Sequence, residues 1–237
     1  MNTEAHNLAQ YLVERLQSLP SPKRLIVGLS GIPGSGKSTL AQLIVGYVND
    51  ILRAMKSDGN EINDDGACAV VVGLDGWHLT RTQLDAFLDP GLAHARRGAH
   101  WTFDGSGYVQ FVTSLRSEGQ TTVVFAPSFD HAVKDPVQDS ISILPTQRIV
   151  LIEGLYAFLS IEPWQAASSL LDERWWLQID ESEARKRLAK RHVVSGIVDD
   201  EEAALHRADH NDLPNGRFIQ ENMLPPTKVI GQAASGT

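Results

Sequence analysis

Short runs of apolar residues recur along the chain, separated by segments in which apolar positions have a helical spacing. The runs are RLIVGLS at 24–30, the segment 68–74, TVVFA at 122–126, RIVLIE at 148–153 and WWLQI at 175–179. Continuous apolar strands that alternate with helices are typical of a parallel sheet covered on both faces. Because we find no internal repeat and no clear linker, we expect one α/β domain over residues 1–237. Its predicted architecture is three-layer α/β/α with a mostly parallel five-stranded sheet.

The apolar spacing predicts helices as well. The first, residues 4–19, ends at two prolines and is expected to pack on the domain as part of an N-terminal element at 1–22. Further helices are predicted at 37–55, 81–88, 105–117, 181–193, 199–209 and 215–222. Thr80 and Asp104 precede two of them and are expected to cap them. The polar stretch at 57–66 predicts an exposed loop.

Composition and charge restrict the class of protein. With 42% apolar and 21% charged residues, the chain resembles a soluble globular protein, and no apolar run approaches the roughly 20 residues of a membrane span. The N-terminus lacks the order of a signal peptide, and Glu4 and Glu14 argue against a mitochondrial presequence. The net charge of −8 argues against nonspecific nucleic-acid binding, and the single Cys68 fits a reducing compartment. We therefore expect a cytoplasmic protein without a nucleic-acid or membrane partner.

The segment GIPGSGKS fits the phosphate-loop pattern G-x-x-x-x-G-K-S, and it lies between a predicted strand and a predicted helix, as that pattern requires. Glycines let backbone N–H groups converge on an anion, and the helix adds the positive end of its dipole. The lysine can reach the β- and γ-phosphates, while the serine hydroxyl can ligate Mg²⁺. The predicted nucleotide-binding residues here are Gly31, Gly34, Ser35, Gly36, Lys37, Ser38 and Thr39.

Two acidic residues at strand ends are candidates for the metal. Glu153 ends RIVLIE, at the place where a nucleotide-binding sheet usually offers a carboxylate. Asp180 follows WWLQI, but Glu181 and Glu183 come directly after it, and acidic residues stabilise any helix start. We therefore predict that Ser38 and Glu153 hold Mg²⁺ and that Asp180 is a helix cap.

The strand at 68–74 leads directly into Asp75, and this carboxylate narrows the class of nucleotide-binding protein. GTP-specific switches need an Asn/Thr-Lys-x-Asp segment, and the nearest candidate, Thr227–Ile230, lacks the aspartate. The serine-glycine-glycine signature of transporter ATPases is absent from the sequence. A small-molecule kinase needs a carboxylate near the γ-phosphate to orient a hydroxyl and accept its proton.

Several ordered motifs resemble the phosphoribulokinase/uridine kinase family, which includes bacterial-type pantothenate kinase. The likeness is closest to fructose-transport-system kinase-like proteins and a fungal ATP-dependent kinase. It covers the chain from about Leu8 to Ile219. The motifs are GIPGSGKSTLA, LDGWHL, RRGAHWTFD, PSFDHAVKDPV, LIEGLY, EPW, RLAKR and NDLPNGRFI.

The resemblance implies roles for individual residues. Asp75 matches the general base, Glu153 the carboxylate near Mg²⁺, and Arg187 and Arg191 the arginines of a lid at about 181–212. Residues that match the adenine border are Asn211 and Pro214, with Asn215 beside them. Substrate-side walls would include His78, Phe129 and Asp130. One departure is His131, which stands where close relatives have an arginine and weakens an anion-binding role there.

Several assignments keep an alternative. Arg96 and Arg97 either hold an anionic acceptor or solvate a loop, and Arg187 can instead pair with Glu183 on an exposed helix. Trp77 and Trp101 are interpreted as aromatic walls that exclude water from the acceptor site. These residues predict an ATP- and Mg²⁺-dependent kinase acting on a sugar, a pantothenate-like or a nucleoside-like hydroxyl, with Lys37, Asp75 and Arg191 in catalysis. A nucleotide-sensing regulatory ATPase, or a degenerate binding module, is the alternative.

Overall fold

The computed structural model describes residues 1–57, 66–117, 122–130 and 133–231. Most of the loop predicted at 57–66 lies outside the described residues, as does His131. In the part of the chain that the structure describes, no helix is long and apolar enough to cross a membrane.

Helices and strands alternate through most of the described chain. The helices are α1 (Asn2–Gln17), α2 (Lys37–Ser57), α3 (Arg81–Asp85), α4 (Pro90–Ala95), α5 (Gly105–Arg116), α6 (Trp164–Ser168), α7 (Glu181–Val194), α8 (Glu201–Arg207) and α9 (Leu213–Asn222). Short 3₁₀ turns are Leu74–Trp77 and His100–Thr102, and a π-helical turn is Ala208–Asp212. The strands are β1 (Leu25–Ser30), β2 (Cys68–Gly73), β3 (Val124–Asp130), β4 (Asp135–Ile143), β5 (Gln147–Glu153), β6 (Glu173–Leu177) and β7 (Lys228–Ile230).

The central sheet has five strands in the order β2-β5-β1-β6-β7, and all of its pairs are parallel. Two apolar clusters cover its faces, one formed with α1 and α2 and the other with α5 and α6. This confirms the predicted three-layer α/β/α architecture. The register aligns Glu153 with both Gly73 and Leu29. The carboxyl ends of β2, β5 and β1 therefore meet at one edge, where the phosphate loop begins.

One predicted sheet strand is wrong. The run at 122–126 does not enter the sheet, because β3 pairs antiparallel with β4 in a separate two-stranded ribbon. Val123 and Phe125 are 40% and 52% exposed, so only alternate residues of this run face the core. An apolar run alone does not distinguish a strand buried on both faces from a half-buried ribbon. The fifth sheet strand is β7, whose three residues carry too little pattern to be recognised.

The predicted helix caps are confirmed. Thr80 accepts the Gln83 backbone N–H at 3.1 Å, and the Gln83 side chain accepts the Thr80 N–H in return. Asp104 accepts the Gly107 N–H at 2.8 Å, and Asp180 accepts the Ser182 N–H at 2.8 Å. These bonds satisfy N–H groups that the first turn of a helix leaves unpaired.

Candidate active site

The phosphate loop connects β1 to α2 and is packed against α7. Gly34 and Gly36 have φ angles of +82° and +91°, which side-chain-bearing residues rarely adopt. A Cβ on Gly34 would also lie 2.8 Å from the Ala184 carbonyl oxygen. The glycines are therefore required both by the left-handed backbone and by the close approach of α7.

Lys37 begins α2 and is surrounded by charged groups. Burial lowers the pKa of Lys37, and the nearby carboxylates of Glu153 and Asp75 partly offset that effect. Arg191 lowers the pKa of Lys37 further, which places this arginine of α7 near the phosphate-binding lysine. The concentration of positive charge at the positive end of α2 is the arrangement expected where phosphate groups bind.

Glu153 and Ser38 form a pair beside this lysine. Burial raises the pKa of Glu153, while Lys37 and a hydrogen bond with the Ser38 side chain act in the opposite direction. A hydroxyl and a carboxylate at this position suit Mg²⁺, which takes one or two protein oxygens and completes its shell with phosphate oxygens and water. Among the described residues, no cluster of three or more histidines, cysteines and acidic residues could hold a metal by itself. The residues present therefore fit a metal that binds together with nucleotide.

Asp75 follows β2 in the 3₁₀ turn Leu74–Trp77, and its side chain is 60% exposed. The turn is held tightly against the ribbon at Gly76. A Cβ on Gly76 would overlap the Pro127 carbonyl oxygen and would lie 2.6 Å from its carbonyl carbon. Glycine at this position thus lets the turn approach β3 and fixes where the Asp75 carboxylate emerges.

A cavity of about 230 Å³ brings most of the predicted site residues together. Its described lining consists of Pro33, Lys37, Ser38, Asp75, His78, Arg97, Gly98, Phe103, Glu153, Gly154, Leu155, Arg191, His192, Ile197, Arg207, Asn211, Asp212 and Asn215. A larger open groove of about 610 Å³ lies between α5 and the ribbon and contains none of the phosphate-loop residues. The smaller cavity is therefore the candidate active site, and we call it the active-site cavity.

Two aromatic side chains that follow Asp75, Trp77 and His78, lie in different surroundings. His78 lines the active-site cavity, with its Nδ1 2.9 Å from the Asp75 carbonyl oxygen. Its ring packs on that of Phe103, with 4.0 Å between centroids and the two planes tilted by 34°. Trp77 is only 4% exposed and packs on Tyr108 in the core, so its predicted role as an acceptor wall is wrong. Trp77 ends the 3₁₀ turn Leu74–Trp77, and its indole lies in the core. Trp101 packs on the outside and does not appear among the described lining residues.

Arg97 lines the active-site cavity, but its guanidinium is largely committed to the protein. It donates to the carbonyl oxygens of Leu79 and Lys134 at 2.8 and 2.6 Å, and to the Asp135 carboxylate at 3.1 Å. Arg97 also lies over the Phe129 ring, 5.4 Å from its centroid. These contacts join the ribbon to the loop before Gly98. A substrate contact by Arg97 stays a prediction.

Phe129 and Asp130 lie at the ribbon end. The Phe129 ring is 5.1 Å from that of His78, between centroids, so it adjoins the cavity. Asp130 accepts the Val133 N–H at 3.1 Å and does not line the cavity within the described residues. The Asp130 carboxylate thus bonds within its own turn, and its predicted contact with substrate has no structural support.

The two predicted lid arginines differ. Arg191 lines the active-site cavity, whereas Arg187 donates through Nε to Glu183 at 2.9 Å. The Nη1 of Arg187 still lies above the phosphate loop, 4.0 Å from the position that a Cβ on Gly36 would occupy. The ion pair between Arg187 and Glu183 that the i,i+4 spacing predicted is thus present, and Arg187 still lies close to the phosphate loop.

The segment predicted to border adenine lies partly in the active-site cavity. Asn211 lines this cavity and donates to the Arg97 carbonyl oxygen at 3.2 Å. Asn215 lines it too, whereas Pro214 does not belong to the described lining. The adenine roles of Asn211 and Pro214 stay predictions.

Sequence reasoning missed three ionisable residues that line the active-site cavity: His192, Arg207 and Asp212. His192 is 2% exposed, and its Nε2 lies 3.0 Å from an Asp212 carboxylate oxygen. Asp212 belongs to the π-helical turn Ala208–Asp212, which Arg207 precedes, and such turns are frequent at functional sites. The only available signal in the sequence was the NDLPN segment.

Comparison with known proteins agrees with this geometry, although no family model matches the chain. Over 159 residues the chain is 48% identical to the ATP-dependent kinase-like protein notR' of Aspergillus versicolor, a match covering 66% of this chain and 92% of that protein. Over 217 residues it is 38% identical to a Schizosaccharomyces pombe protein with the provisional name uridine kinase C227.14, covering 92% and 87% of the two chains.

Solved structures show the same likeness. YFH7 from Saccharomyces cerevisiae has a TM-score of 0.83 at 25% identity, covering 95% of this chain and 98% of that one. A Silicibacter protein provisionally described as a fructose transport system kinase has a TM-score of 0.78 at 29% identity, covering 96% and 98%. The fold and the phosphate loop define a P-loop kinase. The chain belongs to the phosphoribulokinase/uridine kinase family, as its motifs predicted, and this homology implies that it uses ATP.

Proposed function

We propose that this protein is an ATP- and Mg²⁺-dependent kinase that phosphorylates a hydroxyl group of a small molecule. The observation that carries the proposal is the position of Asp75. Its carboxylate shares one cavity with Lys37 and with the Ser38–Glu153 pair. A carboxylate next to a phosphate site, but free of the phosphate loop itself, is what a hydroxyl acceptor requires.

On the nucleotide side, the chain supplies positive charge and oriented N–H groups. The backbone of the phosphate loop and Lys37 would bind the β- and γ-phosphates, and Arg191 would stabilise charge on the transferring phosphoryl group. Ser38 and Glu153 would hold Mg²⁺, which neutralises phosphate charge when bound. Each of these groups lines the active-site cavity or the loop that forms its floor.

On the acceptor side, Asp75 would orient the hydroxyl and accept its proton. The His78 Nδ1 lies 3.9 Å from an Asp75 carboxylate oxygen, so a small rotation of either group brings them into contact. Helices α7 and α8 close the active-site cavity from above through His192 and Arg207. Excluding water matters here because water is the nucleophile that competes with the acceptor.

The test replaces the Asp75 carboxylate with an amide of the same shape that cannot accept the proton. Asp75→Asn should lower acceptor-dependent ADP release by about 10²- to 10⁴-fold, the usual contribution of general acid–base catalysis. The affinity for ATP, measured by titration calorimetry, should stay within about threefold of the wild-type value because the phosphate loop is unchanged. Asp50→Asn, an exposed aspartate on α2 paired with Arg53, is the matched control and should behave as the wild type.

Two outcomes would contradict the proposal. Acceptor phosphorylation retained in Asp75→Asn would remove Asp75 from the chemistry. Slow ATP hydrolysis that no metabolite accelerates, and that Asp75→Asn leaves unchanged, would instead favour the regulatory ATPase. A panel of metabolites with mass-spectrometric detection of phosphorylated products separates these cases.

A further inference from the structure

The carboxylates on the π-helical turn are both already paired. Asp209 accepts two hydrogen bonds from Arg185, at 2.6 and 2.7 Å. Asp212 is held by His192, with 3.0 Å between the carboxylate and Nε2. Each acidic side chain of this turn therefore has its own cationic or imidazole partner.

Arg207, at the end of α8, has no such partner among the described residues. It is half-buried and lines the active-site cavity. Its Nε is buried without a hydrogen-bond partner, and within residues 1–57, 66–117, 122–130 and 133–231 no ion pair to its guanidinium is seen. A guanidinium stays charged, and the Nε of this one is withdrawn from water without a hydrogen-bond acceptor, which is costly. The geometry therefore suggests that an anion from outside the chain completes this site.

Arg207 lies at the start of a turn that is bonded to the loop at 96–98. Its turn is anchored to the loop at 96–98, because Arg96 donates to the His210 carbonyl oxygen at 2.9 Å and Asn211 donates to that of Arg97 at 3.2 Å. Arg191 of α7 acts on the charge of Lys37. Arg207 instead begins the turn that is bonded to the loop at 96–98, where Arg97 contacts the ribbon.

Neighbouring groups favour an anion as well. The Nε of Arg97 and the Nδ1 of His192 are also buried without hydrogen-bond partners among the described residues, and the Asn211 and Asn215 amides lie beside Gly98. The cavity of about 230 Å³ has the volume of roughly eight water molecules. Lys37 and Ser38 line the same cavity, so the nucleotide phosphates share this volume and the space that it leaves favours a compact acceptor.

We infer that Arg207 binds an anionic group of the acceptor, a carboxylate or a phosphate ester, and that the acceptor is a small hydroxylated anion. This inference rests on the proposed function. A planar guanidinium pairs with either anion through two parallel hydrogen bonds. Arg207 would set the acceptor at a fixed distance from Asp75, and thereby select which hydroxyl is presented to the γ-phosphate.

The experiment compares neutral and anionic members of matched pairs: glycerol with glycerate, glucose with gluconate, and fructose with fructose 6-phosphate. Wild type, Arg207→Gln and Arg207→Lys are assayed for ADP release at saturating ATP and Mg²⁺. Arg217→Gln is the control, since Arg217 pairs with Glu181 outside the active-site cavity. The melting temperature is recorded for each compound in the presence of a non-hydrolysable ATP analogue.

We expect the anionic member of at least one pair to have a kcat/KM at least tenfold above that of its neutral partner. Arg207→Gln should raise the KM for that anion at least tenfold and leave the KM for ATP within twofold, whereas Arg207→Lys should recover part of the loss. Preference for gluconate or glycerate identifies a carboxylate, and preference for fructose 6-phosphate identifies a phosphate ester.

Equal use of both members of a pair would overturn the inference, as would an Arg207→Gln variant whose KM for ATP rises instead. If none of the compounds is phosphorylated, the melting temperatures show whether the protein binds an anion at Arg207. Stabilisation by an anion that disappears in Arg207→Gln supports the anion site, even where phosphoryl transfer fails. No anion-dependent stabilisation in the wild type rejects the inference while leaving the Asp75→Asn test of the kinase proposal intact.

Discussion

The floor of the active-site cavity and its opposite wall are built in different ways. The floor comes from eight consecutive residues, Gly31–Ser38, at a strand-to-helix junction, with Glu153 aligned beside them by the sheet. The wall comes from the turn after β2, the loop at 96–98 and helices α7–α9, which are far apart in sequence. A phosphate cradle needs only local backbone geometry, whereas an acceptor wall depends on how distant segments pack.

The floor and the wall of the active-site cavity also differ in how their charged side chains are paired. Lys37 on the floor lies among Glu153, Asp75 and Asp212, each of which favours its charged form. On the wall, Arg97 is tied to Asp135, while Arg207 has no partner among the described residues. The floor is thus prepared for a ligand common to all P-loop kinases, and the wall carries what differs between them. Substitutions in the two regions should separate accordingly.

The largest effect is expected on the floor. Lys37→Ala should lower kcat/KM by about 10³-fold or more, because a preorganised charge on the transferring phosphoryl group is lost. Steady-state ADP release measures this, with circular dichroism to show that the variant is folded. Lys56→Ala, at the exposed end of the same helix, serves as the control. Turnover within tenfold of the wild type would refute the phosphate-binding role of Lys37.

A smaller effect is expected where the lid meets the floor. Arg191→Gln should lower kcat/KM by about 10²-fold, since Arg191 lies near Lys37 in the active-site cavity. Arg187→Gln should cost at most about fivefold, because this exposed arginine is already paired with Glu183. The ratio of the two kcat/KM values is the measurement. Equal losses would show that Arg187 leaves Glu183 when nucleotide binds.

The smallest effect tests the junction between Asp75 and the ribbon. Gly76→Ala should lower the free energy of unfolding by about 1–3 kcal/mol, because the added methyl group overlaps the Pro127 carbonyl. Gly46→Ala is the matched control, since nothing lies within 4 Å of its Cβ position in α2. That change should raise stability by about 0.5–1 kcal/mol. Urea denaturation of both variants gives the comparison, and a Gly76→Ala protein as stable as the wild type would mean that the turn can move away from β3.

Much of the fold could be predicted because its signals are local. Four of the apolar runs became β1, β2, β5 and β6, since strands buried on both faces must be continuously apolar. The ribbon was not predicted, because β4 has exposed polar residues and β3 buries one face only. The segment at 228–230, considered above only as a possible base reader, is the edge strand β7.

The candidate site divides in the same manner. Asp75, Lys37 and Glu153 were predicted together because the carboxyl ends of parallel strands share an edge, and the structure places them in one cavity. Trp77 was assigned to that cavity and is instead in the core. His192 and Arg207 could not be found, since a helical charge pattern does not tell which side chains the packing of α7 and α8 brings to the cavity.

The sequence by itself determined the phosphate cradle, the parallel sheet and the emergence of a carboxylate at the tip of β2. These follow from residue order, because neighbouring backbone groups and strand periodicity act over a few residues. Tertiary structure alone decided the fifth strand, the inward turn of Trp77 and the pairing of charges over the active-site cavity. Each depends on which distant segments the fold packs together. For the charges, Asp209 meets Arg185 and Asp212 meets His192, while Arg207 lines the cavity without an ion pair among the described residues.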